Sequence, residues 1–512
     1  MSASSSTTRR DVLGAVAGLA AAHLAGASAA GRSKDKSPRR RPNLLFVFSD
    51  QHSSDMLGCY GNAQVRSPEL DRFAGEGVRF NHCISNSPVC TPFRAMLMSG
   101  QHVLYNGCIM NDWQLLPGRG KHIGEILRDT GYRTGYVGKW HLHGGNRRRP
   151  VPAGPHRHGF DDTFLTNNCH VNYKPGACFY WNAEGEKVLF DDWEQYGQTT
   201  QALSFLDECK ADQPFALFVS WHPPHNHCGW NYPAPADLEK LYDPAKMRLR
   251  PNCPDTPRNR RWYAGYMALV TSIDRTFGWL MRKLRDKGLA DGTLVVFTAD
   301  HGDLLNSHGT TGCKCRPEHE SCRVPLMIRL PRKLKPRTSD MVVGTLDLMP
   351  TVLGLLGMTP PETCQGRNLA PTLLSGSDTP PQGPAGLAGS QFMLIIPGVG
   401  WRGVYTRDWT YSYERPGGRR KGHKTAGRGF NLLLDNRNDA AQRTNLFGQA
   451  GHRATQKRLH EMTRAWMKRF GDEFVDYPTL VRTCLKQGPL PLNHPKATGE
   501  AKGRPIDLLG KS

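Results

Sequence analysis

The sequence holds no internal repeat, no Cys-x-x-Cys pair and, beyond its first 30 residues, no apolar run long enough to cross a bilayer. The first absence excludes an architecture of self-similar stacked units. The second excludes a zinc site of the paired-cysteine kind. The third leaves no segment of the ~20 apolar residues that a spanning helix needs. Acidic residues are also scarce: 45 Asp and Glu stand against 67 Lys and Arg, for a formal net charge of +22 and a pI near 9.6. That imbalance favours an acidic partner, whether nucleic acid, an anionic membrane or a polyanionic substrate; a basic surface with no specific ligand is the alternative. What is present is ordinary for a globular chain. The 512 residues are 38% hydrophobic and 22% charged, enough for a large core and two domains.

The beginning of the chain reads as an export signal. Thr8-Arg9-Arg10-Asp11-Val12-Leu13 is a twin-arginine pattern, followed by an Ala/Leu/Gly run over 12–25 that is too short to span. Ala27-Ser28-Ala29 fits the small-residue cleavage rule. We expect a signal peptide over 1–29, a basic linker over 30–41, and a protein delivered to the periplasm or beyond by the twin-arginine machinery. There are 14 cysteines, and spacing alone assigns no disulfide.

Short apolar runs recur, and several end in chemically useful residues. Residues 43–49 run into Asp50, 134–137 into Gly138-Lys139-Trp140-His141, 215–220 into a histidine-rich turn, and 293–298 toward Asp300-His301-Gly302-Asp303. The run over 324–330 is similar. Continuous apolar runs indicate strands buried on both faces, as in a mostly parallel sheet. Helical patterns over 120–130 and 274–287 lie between them. The expected fold is α/β: a three-layer sandwich with a large, mostly parallel sheet flanked by helices. Ligands of such sheets bind beyond the carboxyl ends of the strands. A Pro/Gly/Ser/Ala-rich stretch over 375–389 separates an expected catalytic domain (42–375) from a smaller α+β subdomain (390–490) and a tail (491–512). The subdomain shows strand patterns over 403–413 and 430–434, a Gly/Arg/Lys loop over 415–428, and an amphipathic helix over 455–469.

The most informative run is Cys90-Thr91-Pro92-Phe93-Arg94, a Cys-x-Pro-x-Arg pattern opening a helix-like stretch. Arg94, four residues after Cys90, falls on the same helical face near the N-terminus, where a cation and unpaired N–H groups can hold an oxyanion. A buried structural cysteine beside a helix-starting proline would look similar, so the run needs partners elsewhere. Gly131-Tyr132-Arg133-Thr134-Gly135-Tyr136-Val137-Gly138-Lys139-Trp140-His141 sets Lys139 and His141 on one side of an extended segment. A neutral imidazole there would be a competent base. Asp50-Gln51 and Ala299-Asp300-His301-Gly302-Asp303 place paired oxygen ligands at two strand ends, which suits a hard divalent cation. Ser220-Trp221-His222-Pro223-Pro224-His225 holds two histidines and His227 follows, with His222 and His227 as competitors to His225. Lys314 sits between His308-Gly309 and Arg323-Val324-Pro325.

These motifs, in this order, resemble the type I sulfatases of the alkaline phosphatase superfamily, in an exported, bacterial-type form. Asp347-Leu348-Met349-Pro350-Thr351 and Gln365-Gly366-Arg367 extend the likeness. It implies that Cys90 is oxidised to formylglycine by a formylglycine-generating or anaerobic maturation enzyme. Once hydrated, that aldehyde attacks sulfur with one hydroxyl and expels sulfate by collapse of the other. It also implies a metal held by Asp50, Gln51, Cys90, Asp300 and His301, with Ca2+ the first expectation and Mn2+ the second. Arg94 and Lys139 would serve the sulfate and nucleophile, His141 the collapse, and His225 with Lys314 the leaving oxygen. The pairs Asp50-Gln51 and Asp300-His301 depart from the more frequent Asp-Asp and Asp-Asn, a pattern shared with phosphonate monoester hydrolases. The implied activity is hydrolysis of sulfate esters, on sulfated carbohydrates given the basic balance, with no nucleic acid partner. Tyr105, Asn106, His170, Asn172 and the loop 147–149 are candidate rim contacts. A phosphonate or phosphate ester hydrolase, or a silent polyanion-binding protein if Cys90 is never oxidised, are the competing readings.

Overall fold

The apolar runs become the middle of one large sheet. The computed structural model describes residues 41–480 except 146, 171, 211, 228–230, 311, 381–385 and 417–428. The expected signal peptide, nearly all of the basic linker, the tail and most of the Gly/Arg/Lys loop therefore lie outside the described residues. The strands β1 (Asn43–Asp50), β2 (Val78–Ile84), β3 (Arg133–Lys139), β4 (Thr163–Asn167), β5 (Phe179–Trp181), β6 (Lys187–Leu189), β7 (Phe215–Pro224), β8 (Thr293–Ala299), β9 (Arg323–Val324), β10 (Leu326–Arg329) and β11 (Arg337–Gly344) form this sheet. Their order is β11-β2-β10-β8-β1-β7-β3-β4-β5-β6, with β9 paired to β2. The central five, β8-β1-β7-β3-β4, are all parallel.

Burial on both faces explains the unbroken apolar composition. In β1, Leu44, Phe46 and Phe48 enter one core cluster while Leu45 and Val47 enter the other, following the two-residue strand period. Each such side chain contributes about 1.5–3 kcal/mol when fully buried. The helices Cys90–Ser99 and Thr345–Leu355 cover one face; Glu194–Glu208 and Pro257–Asp286 cover the other.

Three local patterns resolve differently from their sequence reading. The helix expected over 274–287 begins at Pro257, where Thr256 caps it by accepting a hydrogen bond from Asn259 N (3.2 Å). Over residues 263–274 it is buried around most of its circumference, so that stretch lacks the polar stripe that would mark it. The run over 324–330 is broken by Pro325, which cannot donate to a ladder, into β9 and β10; both run antiparallel to their neighbours. The pattern over 403–413 holds two strands, β13 (Trp401–Thr406) and β14 (Trp409–Glu414), turned at Arg407-Asp408. With β12 (Ser390–Ile395) and β15 (Leu432–Asp435) they make a four-stranded antiparallel sheet. The helix Arg453–Arg469 packs on it, and its Phe392, Val404 and Leu433 share a core cluster with Phe46 of β1. Among the described residues no helix is long and apolar enough to cross a membrane.

Candidate active site

The parallel strands deliver their polar ends to one edge of the sheet. β1 ends at Asp50, β3 at Lys139, and β8 leads directly into Asp300 and His301. Asp50, Gln51, Lys139, Asp300 and His301 are all buried. Into this edge points the first residue of the helix Cys90–Ser99. Cys90 Sγ lies 3.3 Å from His301 Nε2, 3.1 Å from Lys314 Nζ and 3.7 Å from Asp50 Oδ1. His301 Nε2 lies 3.6 Å from both Asp50 Oδ1 and Asp300 Oδ1.

Charge balance holds these groups out of water. Asp50 Oδ2 pairs with Lys139 Nζ and with Arg94 Nη2 (3.2 Å), and Arg94 Nη2 also reaches Asp300 Oδ2 (3.3 Å). Arg94 Nη1 donates to Lys139 O and Ser220 Oγ, both at 2.7 Å. Arg94 is thus a fully buried brace between two carboxylates and two strand ends, in addition to sharing the helical face of Cys90. Burial pushes the Asp50 carboxyl up, but Lys139, His225, Arg94 and His301 outweigh it and hold it well below the usual range. Burial and Asp50 together push Asp300 up. Burial and Asp50 also raise the Cys90 thiol, and Lys139, Lys314 and His301 overcome them to hold it well below its ordinary value.

The arrangement fits a divalent cation. One ligand atom each from Asp50, Cys90, Asp300 and His301 lies within 4.8 Å of the others. Gln51 adds a pointed observation. Its Nε2 donates to Asp303 Oδ2 (2.6 Å) and Asn226 Oδ1 (3.0 Å), while its buried Oε1 has no hydrogen-bond partner. A buried carbonyl left in that state costs about 1–3 kcal/mol; a cation would satisfy it. Gln51 also holds φ 63°, a left-handed conformation that costs a non-glycine residue about 1–2 kcal/mol, so strain gathers at this strand end.

The histidines separate into three environments. His225 is part-buried beside the nucleophile: Nε2 lies 3.4 Å from Lys314 Nζ, and Nδ1 donates to Asn226 O (2.8 Å). Burial and the Lys314 charge lower it to about 3, so it is a neutral ring. His222 turns away, its Nδ1 2.6 Å from Glu194 Oε1. His227 Nε2 lies 3.2 Å from Asn172 Oδ1. His141 faces the site with φ 55°, and its Nε2 is 3.0 Å from Asp112 Oδ1. Burial alone would lower it, but Cys169 and Asp112 raise it to about 10. The neutral base read from the sequence is therefore an imidazolium in this state, because an acidic cage surrounds it.

The candidate rim residues disperse. Tyr105 is 49% exposed. Asn106 is turned inward, donating to Gln101 O (2.9 Å) and accepting from Cys108 N (2.9 Å), a loop brace and not a rim group. His170 tilts over Phe179 with ring centroids 4.7 Å apart. Arg147 of the 147–149 loop forks onto Asp112 at 2.8 and 2.7 Å, which ties the rim to His141. Asp112, Cys169, Asn226 and Asp303 were not singled out from sequence. Asp303 lay inside a quoted motif and could have been; the other three sit on loops with no spacing signal. The described cysteines, Cys313, Cys315 and Cys322 among them, are free thiols.

With this geometry in place, comparison with known proteins becomes informative. Residues 42–358, more than half of the chain, match the family model for sulfatase. The chain is 29% identical over 440 residues to an ulvan-active sulfatase of Formosa agariphila, covering 85% of this chain and 82% of that protein. It is 25% identical to an N-acetylglucosamine-6-O-sulfatase of Bacteroides thetaiotaomicron, covering 90% and 91%. The crystal structure of Bacteroides fragilis yidJ, provisionally named a sulfatase, superposes with a TM-score of 0.75 at 27% identity, covering 86% of this chain and 99% of that one.

Proposed function

The chain belongs to the sulfatase family and is a sulfuric ester hydrolase; from that premise we propose that it removes sulfate from sulfated carbohydrates, using formylglycine made from Cys90 and one divalent cation. The observation that carries this reading is the position of Cys90 Sγ, between metal-type ligands (Asp50, Asp300, His301) on one side and Lys314 on the other. The sulfur marks the place of the oxygens of the oxidised residue. When bound, the cation would polarise that nucleophile and the sulfate, and Asp50, Gln51, Asp300 and His301 would hold it.

The chain's own residues then divide the work. Lys139 and Lys314 bring two positive charges to the nucleophile and would hold sulfate oxygens as negative charge shifts toward the leaving group. Because His225 Nδ1–H donates to Asn226 O, its Nε2 is an acceptor for Lys314 Nζ. The proton shared on that pair is the one available to the leaving oxygen, so His225 acts with Lys314 and not alone. Asp112 accepts from His141 Nε2–H, which fixes the ring and leaves Nδ1 toward the nucleophile. Arg94 acts through Asp50 and Asp300. Carbohydrate substrates are supported by the net charge of +22 and by relatives acting on ulvan and on N-acetylglucosamine sulfates. Export through the twin-arginine pattern at Arg9-Arg10 would meet such substrates outside the cytoplasm.

The test is the mass of the peptide containing Cys90, followed by turnover of a sulfated sugar and of the matching phosphate ester. Aldehyde at Cys90 with sulfate preferred supports the proposal. An active enzyme carrying an intact thiol would refute the nucleophile, and preference for the phosphate ester would refute the substrate class.

A further inference from the structure

A second buried cluster lies behind Trp140, away from the nucleophile. His122 and His158 are both fully buried, with ring centroids 4.2 Å apart and planes at 61°. Glu125, in the first turn of the helix Ile123–Asp129, accepts from His122 N (2.8 Å) and brings Oε2 to 3.4 Å from His122 Nδ1. One nitrogen from each ring and one Glu125 oxygen lie within 4.8 Å of one another. Apart from a Leu115 backbone contact to the His158 ring and the 3.4 Å approach of Glu125 to His122, the ring nitrogens have no hydrogen-bond partner. Leaving buried polar atoms in that state costs about 1–3 kcal/mol each, so their gathering at one point asks for a ligand.

The backbone is shaped to bring them together. A Cβ on Gly124 would come within 2.5 Å of His158 O, and one on Gly159 (φ +90°) within 2.2 Å of Glu125 N. Only glycines let the two segments lie this close. His158 itself is left-handed, φ 49° and ψ 38°, a conformation costing about 1–2 kcal/mol for a residue with a side chain.

We propose that His122, Glu125 and His158 form a second metal site that takes one borderline divalent cation of the zinc type. Two imidazoles and a carboxylate are a zinc-type ligand set. Two nitrogens and one carboxylate suit calcium or magnesium poorly, and no thiolate selects copper(I). The Leu115 backbone interacts with the His158 ring, as a carbonyl does when it receives the second N–H of a metal-bound imidazole. His143 and His156 are engaged by Gln114 Nε2 at 3.3 and 3.1 Å, so water would complete the coordination. The consequence is mechanical. His158 stacks on Trp140 at 5.8 Å and 21°, and Trp140 lies between Lys139 and His141 in the chain. An ion on His158 would hold that indole, and with it the end of β3.

The experiment uses untagged full-length protein stripped with a chelator. Co2+ is titrated into the Asp300→Ala variant, whose nucleophile cluster lacks one carboxylate. The expected result is one Co2+ per chain with the visible absorption of a four- or five-coordinate ion, displaced by Zn2+. Adding His158→Asn or Glu125→Gln should weaken binding beyond the about 10-fold to 100-fold that loss of an outer partner costs. Wild-type crystals soaked in Zn2+ should show an anomalous peak between His122 and His158, a readout that does not depend on any variant folding. No anomalous peak there, or a Co2+ spectrum unchanged in both added variants, would overturn the proposal. Sulfate ester turnover is not read in this experiment, so failure of the catalytic reading would leave its outcome unchanged.

Discussion

The nucleophile cluster is wholly buried and the histidine cluster is buried but for the half-buried Glu125, yet they solve burial in opposite ways. Around Cys90 each carboxylate meets its opposite: Asp50 has Lys139 and Arg94, and Asp300 has Arg94. Around His158 the charge is avoided. Burial first, then His122, His156 and His143, hold that ring well below its ordinary value, and it stays neutral. Paired charges in a low dielectric give a strong, directed field, useful where sulfate must be polarised. Neutral imidazoles each keep one lone pair, which a metal can take up. One region is built for a reaction and the other for a fixed ligand, and the tests below probe that contrast.

The largest effect belongs to the nucleophile. Cys90→Ala should lower turnover by on the order of 10^3-fold or more while leaving the fold intact, with circular dichroism as the control. Elemental analysis of active wild-type enzyme should find a divalent metal, and Asp300→Ala should lose activity together with the cation held beside Cys90, keeping only the ion expected at His122, Glu125 and His158. Active protein free of metal would remove the reason for the cluster's acidic half.

Next is the energetic cost of breaking a balanced network. Asp50→Ala leaves Lys139 and Arg94 partly unpaired out of water, and removing one partner of a buried ion pair costs about 3–5 kcal/mol. Urea unfolding of metal-free protein measures it. His158→Asn in the neutral region should cost far less under the same conditions, since no charge is orphaned. Equal losses would mean that the two clusters do not differ in the way described.

This contrast also decides what the sequence revealed. Asp50, Cys90, Arg94, Lys139, Asp300 and His301 each sit at a strand end or helix start inside a local motif: the apolar runs marked the strand ends, and the resemblance to the sulfatases marked Cys90, Arg94 and the roles of the others. The parallel sheet was legible for the same reason, from continuous apolar runs. The histidine cluster was not, because His122 and His158 stand 36 positions apart and meet only through the close approach of Gly124 and Gly159. Asp112 and Cys169, which set the charge on His141, lie on loops where no pattern constrains residue type. The helix Pro257–Asp286 was not legible over residues 263–274 because burial on nearly every side there erases the amphipathic stripe.

A third effect separates the two histidines of the reaction. If His225 and Lys314 share the proton for the leaving oxygen, His225→Ala should hurt sugar sulfates, whose alkoxide leaves poorly, more than activated aryl sulfates. The expected difference in the loss of kcat/KM is about a hundredfold. His141→Asn should lower turnover of both substrates alike. Equal losses on both substrates in His225→Ala would displace His225 from this role, and His222, held by Glu194, would be the next to test.

The smallest effect is a pair of opposite pH slopes. His158 titrates below its unfolded value of 6.5, so below that pH the unfolded chain takes up the proton and the folded one resists it. Its contribution to stability is present above about pH 6.5 and is lost as pH falls. His141 is raised by Cys169 and by Asp112; the Asp112 share, which no thiol proton offsets, lets the folded chain hold a proton that the unfolded one releases above 6.5. Its contribution is present below 6.5 and is lost as pH rises toward 10. Each slope is bounded by one proton, about 1.4 kcal/mol per pH unit. In metal-free protein, His158→Asn should therefore flatten the loss of stability between about pH 7 and 5, and His141→Asn should flatten it between about pH 7 and 10. If both variants changed the same limb, the charged and neutral regions would not be electrostatically distinct, and the comparison from which these tests start would fail.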